Sequence, residues 1–166
     1  MPKKDIVIYP DRVLKSKADP IENIDLRVVT LAEDMTQTMY KAPGVGLAAP
    51  QVGEPLRLIV VDQTSGKEDD NLIVVVNPEI VEKEGTRVDS EMCLSVPDTS
   101  IDVSRAKRIL VKGIDLKGNE LRIEAEGFLA RIFQHEIDHL NGVVILDYAS
   151  FLKRSIYLKK RKKGKI

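Results

Sequence analysis

The chain is poor in the residues that cross-link or ligate. It has one cysteine, Cys93, and no histidine beyond His135 and His139. A lone cysteine excludes an intramolecular disulfide and points to a reducing compartment, the cytoplasm. Long hydrophobic runs are missing too, since no window approaches the ~20 consecutive apolar residues that cross a bilayer. The opening Met1-Pro2-Lys3-Lys4-Asp5 leads into only a short apolar stretch cut by Pro10, so no secretory leader is expected. Net charge is also absent, with 26 basic residues against 26 acidic ones. That balance conceals an asymmetry: residues 153–166 hold eight Lys or Arg and no acid, leaving residues 1–152 at −8. A basic tail of this kind suits nucleic acid or another anionic surface. It equally suits a solvated helix end, whose last turn favours cations.

What is present describes a globular chain. Its 166 residues are enough for one domain, 1–166, with a core that needs no disulfide. Residues 6–10 read as extended and end in a turn at Pro10-Asp11. Over residues 25–40, Val28, Leu31, Ala32, Met35 and Met39 share one helical stripe, which stops before Ala42-Pro43-Gly44. Strand-like runs follow at 56–61, 72–76 and 80–81. Two more, 108–114 and 120–124, flank the hairpin turn Asp115-Leu116-Lys117-Gly118-Asn119. A helix from about Gly127 stops at Asn141-Gly142, and a last amphipathic helix from about Ser150 carries the basic tail. Helices among hairpin-like strands predict an α+β fold, with antiparallel sheets rather than βαβ units.

The chemistry concentrates in Gln134-His135-Glu136-Ile137-Asp138-His139-Leu140-Asn141-Gly142, which contains His-Glu-x-x-His. Two His four apart on a helix project from one face and can grip one metal ion, with the Glu between them placed to move protons on a nearby water. Phe128, Ile132, His135 and His139 share that face at spacings of four, three and four. Leu129, Phe133 and Leu140 form a neighbouring stripe suited to the core. The alternative is an ordinary pair of helix histidines, and the inner Glu with Asp138 nearby favours metal.

A catalytic centre of this type takes three protein ligands and keeps one position open. No histidine remains, which removes the metzincin arrangement. The acids downstream of His139 reduce to Asp147, and the other candidate is Cys93 in Glu91-Met92-Cys93-Leu94-Ser95. A lone cysteine is usually a small buried hydrophobe, but this one sits in a polar stretch ending at Pro97. A third segment, Gly44-Val45-Gly46-Leu47-Ala48-Ala49-Pro50-Gln51, faintly mimics a dinucleotide fingerprint. A helix precedes it and Pro50 interrupts any helix after it, so the context is wrong. Its glycines instead let backbone approach a ligand closely, and Gln51 ends it with an amide donor.

Together these three segments resemble the signature segments of peptide deformylases, in order, spacing and content. The resemblance covers nearly the whole chain, including Tyr9-Pro10-Asp11. It implies a mixed fold of antiparallel sheets around a central metal-binding helix, with a C-terminal helix, and removal of the formyl group from N-terminal formyl-methionine of nascent polypeptides. By position, it implies that Cys93, His135 and His139 bind the metal and that Glu136 is the general acid/base. The metal is expected to be Fe²⁺ in the cell, with Zn²⁺, Ni²⁺ or Co²⁺ as substitutes. Gln51 and the Leu94 N–H are the implied oxyanion donors. Val45, Gly46, Phe128 and Ile132 are the implied substrate-binding residues, and Glu91 and Asp138 would orient ligands. In bacterial members of the type with a C-terminal helix, that helix docks on the ribosome, and residues 153–166 resemble it in position and charge.

Two departures stand out. Met92 occupies the position of a family glycine, which predicts strain if that backbone needs positive φ. Ser100 stands where the family's usual arginine follows the cysteine by seven residues, so local support must differ. Two other functions compete with deformylation: a metallo-endopeptidase using the same helix, and a non-catalytic, metal-stabilised RNA-binding module using residues 153–166.

Overall fold

A computed structural model describes residues 4–166, and the leader expectation falls partly on residues 1–3, outside them. A five-stranded antiparallel sheet has the order β1-β2-β3-β6-β7: β1 Gly46–Ala48, β2 Leu58–Val61, β3 Ile73–Glu84, β6 Arg108–Ile114 and β7 Glu120–Glu126. A separate antiparallel hairpin pairs β4, Arg87–Cys93, with β5, Val96–Arg105. Three α-helices complete the fold: α1 Leu26–Lys41, α2 Gly127–Leu140 and α3 Phe151–Lys162. The architecture is α+β, as the sequence predicts.

Why the layers form is visible in β2. All four of its residues are apolar and buried. Leu58 and Val60 pack with Val28, Leu31, Met35 and Met39 of α1. Ile59 and Val61 pack on the opposite side with Ile132, Phe133, Ile137 and Leu140 of α2. A strand with two apolar faces must be covered twice, and burying each large side chain contributes roughly 1.5–3 kcal/mol. The sheet is therefore sandwiched between α1 and α2. The other flank of α2 faces the β4–β5 hairpin, where Cys93, Val96, Ile101 and Val103 cluster with Leu14 and Tyr157.

Helix ends follow the sequence signals. Asp25 caps α1 by accepting from Val28 N at 3.2 Å, and Ser150 caps α3 by accepting from Lys153 N at 3.2 Å. The turn after α2 closes with Val143 N donating to Asp138 O at 2.9 Å, and Gly142 takes φ +75 there, against the backbone of Lys15. The runs at 72–76 and 80–81 prove to be one strand, β3, bent at Asn77-Pro78 by register shifts against β6. No helix of the described residues is long and apolar enough to cross a membrane.

Candidate active site and metal centre

Three elements meet at one point. α2 presents His135 and His139 on one face, with ring centroids 5.1 Å apart. The end of β4 delivers Cys93, 8% exposed. The 3-10 turn after β1 delivers Gln51, whose Oε1 accepts from Ala48 N at 3.0 Å while Nε2 donates to Ser95 Oγ at 3.1 Å and points to Cys93 Sγ at 3.7 Å. One ligand atom each from Cys93, His135 and His139 lie within 4.8 Å of one another. Cys93 Sγ and His139 Nε2 are 3.4 Å apart. Bonds of ~2.3 Å to sulfur and ~2.0 Å to nitrogen at a tetrahedral angle place those atoms ~3.5 Å apart, so the donor set fits a transition-metal ion. His135 Nδ1–H donates to Glu91 Oε1 at 2.9 Å, which fixes the ring and leaves Nε2 free to ligate.

Two buried glutamates border this cluster. Glu91, 7% exposed, accepts from Arg105 Nε and Nη2 at 2.9 Å each, and from Arg131 Nη1 at 2.5 Å. Burial raises its pKa, but His135 and Arg105 outweigh that and hold it down at about 2. Glu136, 4% exposed, has no such partners, and its Oε1 is buried with no hydrogen bond. Burial pushes its pKa up to about 7. His139 is pushed well below the usual imidazole range by burial, by His135 and by Arg105. Burial also opposes charge on His135, but Glu136, Cys93 and Glu91 override it and hold that ring well above the usual range. A metal ion would therefore displace a proton from His135 and find His139 already neutral.

Nine of the ten sequence-predicted residues line one cavity of about 530 Å³: Val45, Gly46, Gln51, Cys93, Leu94, Phe128, Ile132, His135 and Glu136. The tenth, His139, is 1% exposed and joins them through Cys93 Sγ. Gly46 explains its own identity, because a Cβ there would meet Glu136 Oε2 at 2.5 Å and Ile132 Cγ2 at 2.8 Å. Asp147, the acid downstream, is engaged elsewhere, by Lys15 Nζ at 2.5 Å and Val144 N at 2.8 Å. The strain expected at Met92 does not arise. Met92 of β4 pairs with Ser100 of β5, and among the described residues those other than glycine with positive φ are Ser65, Asp70, Asn77 and Asp98.

The support around the site comes from residues that sequence reasoning passed over. Arg105 Nη1 also reaches Asp138 Oδ2 at 2.5 Å, which Tyr148 Oη–H meets at 2.6 Å. Arg131 holds Val103 O at 3.0 Å and Arg87 O at 2.8 Å as well as Glu91. With Ser100 unable to supply a cation, these two arginines hold Glu91. Spacing marked both: Arg105 continues the inward alternation of Ile101 and Val103, and Arg131 lies four residues before His135. A third support is Asp62, 1% exposed, which accepts from Tyr40 Oη at 2.7 Å and from Thr64 N at 2.9 Å. Next to it, Asp62 N donates to Val45 O at 2.8 Å and Ser65 Oγ to Gly44 O at 2.7 Å, bracing the cavity wall.

Fold and site define a class: an α+β hydrolase whose candidate metal centre joins a His-Glu-x-x-His helix to a cysteine. The sequence model of the family described as polypeptide deformylase matches residues 3–155. The peptide deformylase of Thermodesulfovibrio yellowstonii is 49% identical over 157 residues, covering 95% of each chain. That of Desulfosudis oleivorans is 51% identical, covering 96% of this chain and 92% of its own. Among solved structures, a peptide deformylase from Legionella pneumophila superposes with a TM-score of 0.91 at 46% identity, covering 98% of this chain and 95% of that one. One from Synechococcus elongatus, in complex with actinonin, gives 0.91 at 39% identity, covering 98% and 89%. The chain belongs to the polypeptide deformylase family. It is a metal-dependent hydrolase that removes formyl from N-formyl-methionyl peptides, which sets aside the endopeptidase and RNA-module readings.

Proposed function

We propose that deformylation runs at the cavity described above, with Cys93, His135 and His139 holding the metal and Glu136 moving the proton. One observation carries this: a three-ligand cluster and an unpartnered buried carboxylate open onto the same cavity. A divalent metal held there supplies Lewis-acid chemistry, activating water near neutral pH and polarising the formyl carbonyl. Glu136 Oε1 takes the proton from the attacking water and returns it to the departing amine, so formate and a free N-terminus leave. Burial raises the pKa of this carboxylate above the usual range, which favours a group that both takes and returns a proton. Gln51 Nε2–H and Leu94 N–H stabilise the developing oxyanion, and loss of one such donor costs ~3 kcal/mol, or ~10²-fold in rate.

The methionine side chain seats against Val45, Phe128 and Ile132, while the free edge of β1 at Gly46 offers backbone hydrogen bonds to an extended peptide. Formyl carries only hydrogen on its carbonyl carbon, so a tight site excludes acetyl by size. Fe²⁺ is the proposed cellular metal, with Zn²⁺, Ni²⁺ or Co²⁺ able to substitute, since a thiolate with two imidazoles accepts each of them. The thiolate also makes the centre oxygen-sensitive. Residues 1–166 act as a single catalytic domain in the cytoplasm, where nascent formylated chains arise.

Purification without oxygen, metal analysis and a formate-release assay on formyl-Met peptides test the reading on one sample. Stoichiometric metal with formate release is expected, and Cys93→Ala should lose the metal. Unchanged metal affinity in that variant removes Cys93 from the ligand set. The basic residues 153–166 dock on ribosomal RNA, supported by their eight cations and by α3 extending through Lys162. Neutralising Lys159, Lys160, Lys162 and Lys163 should weaken salt-dependent ribosome binding; equal binding refutes docking.

A further inference from the structure

β4 is paired on one side only, with β5, and β1 on one side only, with β2. Both line the active-site cavity, through Gly46 of β1 and through Ser90, Glu91, Met92 and Cys93 of β4. An extended peptide between them alternates its side chains, one inward and the next outward. Given the seating of formyl-methionine proposed above, its side chain points inward to Ile132. The side chain of the second residue then points outward, to the mouth.

β4 alternates in the same sense. Glu91 and Cys93 are buried at 7% and 8%, while Met92 between them is 71% exposed and still lines the cavity. Its thioether therefore stands on the side of the strand that the second substrate side chain takes. Ser90 is the other outward residue of β4 at the cavity, but it is short and polar. Met35 and Met39 are fully buried, so among the described residues Met92 is the methionine open to solvent. An exposed Met on a strand edge beside a binding cleft is a flexible apolar contact that adapts to its partner.

We infer that Met92 is a specificity-determining residue that favours an apolar side chain immediately after formyl-methionine. Side chains on the same face of neighbouring strands interact with a strength that corresponds to about a two- to fivefold preference. The inference rests on the deformylase reading of the cavity.

The test compares kcat/KM for formyl-Met-Leu-Ser and formyl-Met-Ser-Ser in parallel. Wild type should prefer the leucine peptide by about two- to fivefold. Met92→Leu should keep that preference, and Met92→Ser should bring the ratio toward one. The ratio does not depend on the fraction of folded or metal-loaded protein, so lost stability cannot imitate the result. A wild-type ratio near one, or a ratio unchanged in Met92→Ser, overturns the inference. No formate from either peptide would instead overturn the deformylase reading beneath it.

Discussion

Glu91 and Glu136 are the same side chain, both buried and both acting on the charge of His135, yet their pKa values lie at about 2 and about 7. Glu91 is met by Arg105, Arg131 and His135, so charge is its cheapest state. Glu136 lies against Gly46 and Ile132 with an oxygen unpaired, so burial dominates. The fold holds one carboxylate firmly in its charged form and favours the protonated form of the other, as the proposed proton transfer requires. Environment alone separates the two charge states.

The largest break in this contrast comes from Glu136→Gln. The amide keeps the shape but cannot carry the proton, so kcat should fall by about 10²- to 10⁴-fold with metal content retained. Normal turnover would sink the assigned role. Glu91→Gln attacks the other side by leaving two buried arginines opposite a neutral group. Breaking a buried pair costs about 3–5 kcal/mol, read by urea denaturation. Loss of the His135 partner should lower metal affinity by about 10- to 100-fold, read by chelator competition.

A pH series on chelator-stripped protein sharpens the comparison, because the two shifts act with opposite sign. The lowered pKa of Glu91 stabilises the fold above about 4.5, and that contribution is lost as pH falls toward about 2. The raised pKa of Glu136 stabilises below about 4.5, and that contribution is lost as pH rises through about 7. Between pH 4.5 and 8, wild type should therefore lose stability relative to Glu136→Gln, by roughly 3 kcal/mol. Parallel denaturation curves would count against the raised value. The smallest effect is Gly46→Ala, which pushes Glu136 aside without touching Glu91: about 10²-fold off kcat, with unchanged metal affinity.

Much of this was legible in the sequence. The stripe of α1, the hairpin 108–124 and α2 with its His-Glu-x-x-His and its stop at Asn141-Gly142 follow ordinary periodicity or spacing, whereas Gly44–Gln51 and Glu91–Ser95 gained their roles only from the resemblance to peptide deformylases. The β4–β5 hairpin did not, and the reason is physical. In Arg87–Cys93 the alternation is inverted: Val88 and Met92 face outward at 60% and 71% exposure, while Glu91 faces in. A strand that buries its acid and exposes its apolar residues carries no amphipathic signal. Its inward face is specified by partners distant in sequence, Arg131 and His135, which no local window contains. Likewise Asn77-Pro78 hid the continuity of β3, because proline reads as a strand end although a bulge accommodates it.

The turn at Asp62 has a consequence for engineering. Its carboxylate gathers Tyr40, Thr64 and Gly66, and Ser65 fastens Gly44, so the wall of the cavity is secured at the root of the loop rather than along it. The loop tip, residues 67–70, is exposed and polar. Length can be added there, as a tag or a reporter, while the cavity wall at Gly44 and Val45 stays fixed by Ser65 and Asp62.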